Sequence, residues 1–241
     1  MNMSNSFKLG TFVKTASPHV IEVLGTTRLD FVCIDAEHAP MDRAVLDIMV
    51  MAARTTRLQA FVRIPEINPA VVLSTLDIGA TGLLVPHVDS ADQAAEVVAM
   101  ARYKGGLRGF SSSPRFAGYG SLGMKEALRA GDEAQIICQI ESEEALKSAA
   151  AIAAVPGVAG LFVGRADLAL SMGLDNPRDE RVTQATLDIL RAARQAGKIA
   201  GVHVGNNAER DQFAAEGADW FIVSSDQTLL RQAAQGIAHV D

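Results

Sequence analysis

Several features are scarce in this sequence, and each scarcity excludes a class of protein. The two cysteines, Cys33 and Cys138, both lie inside apolar runs, so we interpret them as small buried hydrophobic residues and expect no disulfide framework. No apolar stretch approaches the ~18 residues that a membrane-spanning helix needs. No Lys/Arg-rich stretch occurs and the net charge is −6, which argues against a nucleic-acid partner. The reduced cysteines and the polar segment 1–6, which is not a signal peptide, predict a cytoplasmic protein.

Strand-like and helix-like segments alternate from end to end. Short apolar runs predict eight strands, and apolar residues at helical spacing predict helices between them. The predicted strands are 8–13, 31–35, 59–64, 82–86, 134–140, 158–163, 199–204 and 220–223. The predicted helices are 19–24, 41–54, 69–79, 91–101, 142–154, 182–196, 208–216 and 228–238, with shorter helical sequence at 122–130. This order predicts an α/β protein with a (β/α)8 TIM barrel.

The alternative fold is a doubly wound open sheet. No Gly-x-Gly-x-x-Gly follows the first strand, so nothing supports dinucleotide binding. The segment 103–123 is rich in Gly and Ser with little periodicity, and a loop of that length is usually functional or disordered. No short repeat or linker divides the chain, so we expect residues 1–241 to form a single domain.

Polar side chains follow the predicted strands at their C-terminal ends, where barrel enzymes place their active sites. They are Asp35, Glu37 and His38 after strand two, Arg63 after three, His87 after four, Gln139 and Glu141 after five, Arg165 and Asp167 after six, and His203, Asn206, Ser224, Ser225 and Asp226 after seven and eight. His38 is the candidate catalytic base, because a core histidine would not usually follow two acids at a strand end.

Two acids, Glu141 and Asp167, follow adjacent strands, which lie about 5 Å apart in a parallel barrel. Carboxylates this close repel each other unless a cation bridges them or one is protonated. A divalent metal with oxygen ligands is the simplest resolution, and a single acid on a solvated loop is the alternative. Arg63 is interpreted either as a buried ion-pair partner of a rim acid or as a fixed cation for a developing oxyanion.

Two further absences limit the chemistry. None of the lysines lies in the middle or at the C-terminal end of strands two to eight, so covalent imine chemistry is disfavoured. The ends of strands seven and eight lack the glycine-rich backbone of phosphate-binding barrels, which makes a large phosphorylated substrate less favoured.

Eight motifs occur in an order that identifies a family. They are Ile34-Asp-Ala-Glu-His-Ala-Pro40, Val62-Arg-Ile-Pro65, Leu76-Asp-Ile-Gly-Ala80, Leu84-Val-Pro86, Arg102-Tyr103, Leu107-Arg-Gly109, Gln139-Ile-Glu141 and Phe162-Val-Gly-Arg-Ala-Asp-Leu168. With them the chain resembles, over nearly its whole length, the HpcH/HpaI family of class II, metal-dependent pyruvate aldolases. This family includes 4-hydroxy-2-oxoheptanedioate aldolase and the 2-keto-3-deoxy-sugar-acid aldolases.

The resemblance implies a carbon–carbon lyase that reversibly cleaves a 4-hydroxy-2-oxo acid to pyruvate, or hydroxypyruvate, and an aldehyde through a metal-stabilised enolate. Glu141 and Asp167 would bind Mg²⁺, Mn²⁺ or Co²⁺, Arg63 would contact the 2-oxygen, and His38 would be the base, with Asp35 and Asp77 as acids that orient or polarise it. Gln139, Gly164, Arg165, Ala166 and Asp167 would bind substrate, the backbone around Ala166 and Asp167 holding its carboxylate. The family forms hexamers from dimers that exchange C-terminal helices, so 228–238 is expected to pack on a neighbour.

One position departs from the family pattern. Members usually have Gly-Pro or Gly followed by a small residue where this chain has Gly164-Arg165. An arginine there could reach an acidic substrate tail or a neighbouring subunit. The aldehyde stays open among succinic semialdehyde, tartronic semialdehyde, lactaldehyde and glyceraldehyde, and segment 103–123, Arg165 and the C-terminal helix are the expected specificity elements.

Two other functions remain to be weighed. A related lyase acting on malyl- or citramalyl-CoA would need a basic, adenine-binding surface, which this sequence does not show. A non-catalytic barrel would be expected to lack some of His38, Arg63, Glu141 and Asp167, and all four are present.

Overall fold

Eight parallel strands close into a barrel in the computed structural model, which describes residues 7–238. The strands follow one another around the barrel in sequence order, and β1 pairs with β8 to close it. Their bounds are β1 Lys8–Val13, β2 Phe31–Asp35, β3 Gln59–Arg63, β4 Gly82–Val85, β5 Gln135–Ile140, β6 Val158–Val163, β7 Ile199–Val204 and β8 Trp220–Ser225. The predicted TIM barrel is confirmed, whereas the interpretation of segment 1–6 lies outside the described residues.

Helices cover the outside of the barrel between the strands. Their bounds are α1 Pro18–Gly25, α2 Arg43–Arg54, α3 Pro69–Asp77, α4 Ala91–Ala101, α5 Met124–Asp132, α6 Glu143–Ala154, α7 Arg165–Ser171, α8 Glu180–Gln195, α9 Asn207–Ala215 and α10 Asp226–Ala238. A 3₁₀ segment, Arg115–Gly120, lies inside the predicted loop 103–123. The sequence pattern missed this segment and α7, because neither is long enough to show a helical period.

Capping side chains mark where several helices begin. Asp42, Ser90, Ser142 and Asn206 each accept a hydrogen bond from the backbone N–H three residues later. Such caps satisfy amide groups that have no partner within the helix and typically contribute about 1 kcal/mol each. They fix the point at which the chain leaves the barrel rim and turns back along its outside.

The strand period of two decides which side chains enter the barrel. Phe31, Phe61 and Ile137 belong to an inner apolar cluster that also contains Trp220, whose ring stacks on Phe31 at 4.0 Å between centroids. Side chains two residues apart on a strand share a face. Arg63 and Gln139, two residues beyond Phe61 and Ile137, therefore point into the mouth of the barrel above this cluster, as does Asp35 at the end of β2.

The outer apolar layer packs the strands against the helices, and it includes Val32, Ile34, Val62 and Leu83. Both cysteines are buried and free, as interpreted from the sequence. Among residues 7–238, no helix has the length and apolar character needed to cross a membrane.

Candidate active site

A cleft of about 680 Å³ opens at the C-terminal ends of the strands. It is lined by residues that include Phe12, Lys14, His38, Arg63, Gln139, Gly164, Arg165, Ala166, Asp167, Arg178, His203, Ser224, Ser225 and Thr228. A larger groove of about 1420 Å³ runs along α5, away from the strand ends. We place the candidate site in the smaller cleft, because the predicted polar residues converge there.

Arg63 lines this cleft and forms an ion pair with the buried Asp35. Arg63 donates from Nε and Nη2 to the two carboxylate oxygens of Asp35, at 3.0 and 2.7 Å. Asp35 is fully buried and also accepts from the backbone N–H groups of Glu37 and His38, at 3.2 and 3.1 Å. Burial alone would raise the pKa of Asp35, but the hydrogen bonds and positive charge of Arg63 hold that pKa below its ordinary value. The pair therefore keeps a fixed guanidinium charge at the cleft.

The position of His38 is set through its backbone. Asp35 contacts the His38 main-chain N–H, whereas the acid closest to the imidazole is Glu37, whose Oε2 lies 3.6 Å from His38 Nε2. The His38 side chain is 56% exposed and faces the cleft. Burial raises the pKa of Glu37 above its ordinary value, although Arg63 Nη1 lies 3.2 Å from its Oε2. His38 is thus a solvent-accessible candidate base, and its neighbour Glu37 has a carboxyl group that holds its proton more tightly than usual.

Glu141 is held at the rim by the residues around it. Its Oε1 accepts a 2.8 Å hydrogen bond from the His87 backbone N–H, and its Oε2 accepts one from Gln139 Nε2. His87 has a left-handed backbone, with φ 57°, a strained conformation for a residue with a side chain. Its ring lies 3.1 Å from Glu141 Oε1 and 3.3 Å from Glu37 Oε1. One strained residue therefore contacts both acids.

Gly164 leaves room for Glu141 beside the first turn of α7. A Cβ at residue 164 would stand 2.9 Å from Glu141 Oε2 and 3.0 Å from Glu141 Cβ, closer than side-chain atoms pack. Asp167 lies in the first turn of α7 and is exposed to the cleft. Backbone N–H groups in a first helical turn have no partner within the helix. Gly164 therefore lets α7, whose first turn carries Asp167, begin beside Glu141.

The donor set fits a divalent cation with oxygen ligands. Among residues 7–238, no group of three or more His, Cys, Asp and Glu side chains is arranged to hold a metal ion, so a cation would rest on two carboxylates, Glu141 and Asp167. Mg²⁺ commonly binds in this way and keeps several waters. Gln139 Oε1 is buried without a hydrogen-bond partner among the described residues, and the charge of Glu141 helps to raise the pKa of Glu37. Both observations indicate negative potential that a cation would offset.

Arg165 is held by contacts within its own chain. Its Nη1 donates to Glu209 Oε2 at 3.1 Å and its Nη2 to the carbonyl of Pro177 at 2.9 Å. Glu209 also accepts from Arg178 Nε at 2.5 Å. The guanidinium of Arg165 stacks on Phe213, 5.0 Å from the ring centroid, and the residue is buried. Arg165 lines the cleft as part of a rigid cluster and not as an extended arm.

Asp35 and Glu141 are buried at the strand ends and do not line the cleft, and two further predicted elements, Asp77 and segment 103–123, also lie outside its lining. Asp77 ends α3 and pairs with Arg108 at 2.9 Å, and Arg108 lies in a pocket with Gln59 and Gln135, the first residues of β3 and β5. Asp77 is therefore on the side where strands begin, opposite His38. The described cleft lining also contains no residue of segment 103–123.

Sequence reasoning underrated three residues of the site. Lys14 follows the end of β1 and was outside the strands considered for lysine chemistry, yet it lines the cleft. The sequence places His203 and His87 at strand ends but indicates no role for them. The signal for Lys14 was its place directly after the apolar run Leu9–Val13, whereas the backbone strain at His87 leaves no mark in the sequence.

Comparisons with known proteins find one family over nearly the whole chain. Residues 8–233 match the family described as HpcH/HpaI aldolase/citrate lyase. The chain is 35% identical over 237 residues to a 5-keto-4-deoxy-D-glucarate aldolase of Klebsiella pneumoniae, covering 98% of this chain and 92% of the relative. It is 35% identical over 246 residues to a 4-hydroxy-2-oxovalerate aldolase of Rhodococcus jostii, covering 97% and 95%.

A solved structure gives the same result for the fold. The crystal structure of an HpcH/HpaI aldolase/citrate lyase family protein from Burkholderia cenocepacia superposes with a TM-score of 0.92 at 33% identity, covering 99% of this chain and 96% of that one. The match extends over the whole barrel, including every strand that contributes to the cleft.

Proposed function

Because the chain belongs to the HpcH/HpaI aldolase/citrate lyase family, we propose that it is an aldolase that reversibly cleaves a 4-hydroxy-2-oxo acid to pyruvate, or hydroxypyruvate, and an aldehyde. Relatives 35% identical to it are named as carbon–carbon lyases of this kind, one for a deoxyketo-glucarate and one for a hydroxy-oxovalerate. The observation that carries the proposal is the convergence of His38, Arg63 and Asp167 on one cleft at the strand ends.

The cleavage follows from the positions of these groups. His38 takes the proton of the C4 hydroxyl, and the C3–C4 bond breaks as C4 becomes the aldehyde carbon. The electron pair of that bond moves onto the pyruvyl fragment, whose 2-oxygen gains negative charge next to the Arg63 guanidinium. The proton then returns to C3, which gives pyruvate, and the reverse sequence forms the C3–C4 bond.

We infer that Glu141 and Asp167 hold the metal, with Gln139 beside them. A bound Mg²⁺, Mn²⁺ or Co²⁺ would act as a Lewis acid for the 2-oxo acid. Free backbone N–H groups of Ala166 and Asp167 would hold the substrate carboxylate, and Gly164 keeps the space between them and Glu141 open. Arg165 supports this turn through Glu209.

The decisive experiment measures pyruvate released from a 4-hydroxy-2-oxo acid before and after chelation with EDTA. We expect activity to be lost on chelation and restored by Mg²⁺, Mn²⁺ or Co²⁺. The ion that restores the highest rate of pyruvate release is the preferred one. Glu141→Gln should weaken metal binding, measured calorimetrically, by more than the roughly 10–100-fold lost with an outer-shell partner. Full activity after thorough chelation would contradict the metal assignment.

We further propose that the protein is cytoplasmic and works as a homo-oligomer, a hexamer built from dimers, with α10 packed on a neighbouring copy. The support for α10 is its exposed apolar side chains, Leu229, Leu230 and Ile237. An adjoining copy would also have to supply Asp77 if that acid acts on His38, because the two lie on opposite sides of one barrel. Sedimentation and subcellular fractionation test these two statements.

A further inference from the structure

One end of the cleft has no part in the cleavage proposed above. Lys14 of the β1 end, His203 of β7, and Ser224 and Ser225 of β8 line it. These strands are neighbours in the closed barrel, β7 pairing with β8 and β8 with β1. Arg63 lies at the end of β3 and His38 follows β2. A substrate with its 2-oxygen at Arg63 and its C4 hydroxyl at His38 would therefore extend from β3 across β2, with its aldehyde end towards β1. We call the lining residues Lys14, His203, Ser224 and Ser225 the tail pocket.

The backbone at Lys14 is fixed by two hydrogen bonds. Asp226 accepts from the N–H of Lys14 at 2.8 Å and from the N–H of Thr15 at 3.0 Å. The side chain then runs beside the Phe12 ring, with Nζ 5.9 Å from its centroid. It reaches the cleft with 27% of its surface exposed. The ammonium is therefore held at the tail pocket and remains accessible to a ligand.

The ion pair of Lys14 is the longer of the two that Asp35 makes. Its Nζ lies 3.3 Å from Asp35 Oδ2, an oxygen that already accepts a 2.7 Å hydrogen bond from Arg63. The other oxygen of Asp35 accepts from Arg63 Nε and from two backbone N–H groups. Because Asp35 is satisfied without Lys14, the ammonium can bind another anion at little cost.

The surroundings of His203 show the sign of the local field. Burial, as the largest cause, and the positive charges of Arg165, Arg63 and Lys14 together lower the pKa of His203 to about 4. Asp35 pairs with Arg63 and Lys14, and Glu209 is bound by Arg165 and Arg178. The tail pocket thus holds a neutral imidazole with the cationic side chains of Arg165, Arg63 and Lys14 near it and the serine residues at its edge.

We propose that Lys14 binds a carboxylate on the aldehyde half of the substrate, so that this enzyme prefers a dicarboxylic 4-hydroxy-2-oxo acid to one with a neutral tail. The inference rests on the proposed aldolase function and adds the substrate class. The names of the relatives leave this open, because glucarate is a diacid and valerate a monoacid. Lys14 acts here as a specificity-determining residue and takes no part in proton transfer.

A first experiment uses two uncleavable ligands of equal chain length, 2-oxoglutarate and 2-oxopentanoate, which differ in the terminal carboxylate. We expect the wild-type protein, in the presence of Mg²⁺, to bind 2-oxoglutarate at least about tenfold more tightly by calorimetry, as a charge-assisted hydrogen bond allows. Lys14→Met should remove this preference and Lys14→Arg should keep most of it. Lys8→Met is the matched control, since Lys8 begins the same strand at the opposite end and bonds Gln59.

A second experiment compares kcat/KM for 4-hydroxy-2-oxoglutarate and 4-hydroxy-2-oxopentanoate. Lys14→Met should lower the first by about tenfold or more and change the second by less than about twofold. Equal losses for both would make Lys14 a counterion of Asp35 and overturn the inference, as would a wild-type protein that binds both uncleavable ligands alike. Absence of pyruvate from both substrates would instead contradict the aldolase function, and the calorimetric preference would still decide the role of Lys14.

Discussion

His38 is the residue on which the proposed chemistry depends most directly. His38→Gln should lower pyruvate release by about a hundredfold to ten-thousandfold, the usual contribution of a general base. The fold should persist, because the side chain is 56% exposed and the hydrogen bond to Asp35 is donated by the His38 backbone N–H, which the substitution keeps. His19→Gln, a change at an exposed histidine outside the cleft lining, is the control. Retained activity in the His38 variant would assign proton transfer to another group.

His203 should make stability depend on pH. Its folded pKa of about 4 lies below the ordinary 6.5, so between these values the unfolded chain binds a proton that the folded chain does not. Stability contributed by the neutral ring is therefore present above about pH 6.5 and lost as the pH falls towards 4. Urea unfolding at pH 7 and pH 5 should show a smaller loss for His203→Gln than for the wild type. An unchanged loss would place the acid sensitivity elsewhere, and His19→Gln again serves as control.

At the scale of elements, hydrogen bonds from the end of β1 to Asp226 at the start of α10 reinforce the barrel closure made by the pairing of β1 with β8. Asp226→Ala leaves the N–H groups of Lys14 and Thr15 without their acceptor and should cost about 1–3 kcal/mol of unfolding free energy. Urea denaturation measures this, and Asp226→Asn should cost less because one acceptor oxygen remains. Asp211→Ala, at an exposed acid of α9, should be neutral. A neutral Asp226→Ala would show that strand pairing alone closes the barrel.

The sequence predicted elements better than contacts. Apolar runs such as Phe31–Asp35 and Val158–Val163 have the predicted bounds, because a buried strand needs an unbroken apolar sequence. Helix α7 was missed, since seven residues are too few for a period to appear. That Glu37, and not Asp35, stands nearest the imidazole of His38 also escaped prediction. It depends on side-chain directions at a turn, which residue order alone does not determine.

For the whole molecule, the exposed apolar side chains of α10 predict a stable oligomer. The double substitution Leu230→Asp, Ile237→Asp should shift the sedimentation coefficient towards the monomer, because both side chains are more than 70% exposed in the single chain and apolar surface of this kind usually covers an interface. The rate of pyruvate release should fall together with the sedimentation coefficient if Asp77 of a neighbouring copy acts on His38. Gln235→Asp on the same helix is the control, and an unchanged sedimentation coefficient would place the interface elsewhere.

The bond between Asp226 and the backbone of Lys14 has a consequence for the order in which the protein is made. It joins residues 212 positions apart, so it forms only after nearly the whole chain has left the ribosome. His38, Arg63, Glu141 and Asp167 all precede Asp226 in synthesis. A nascent chain therefore carries the groups proposed to break the carbon–carbon bond before it acquires the acceptor that positions Lys14, and discrimination among substrates is completed last.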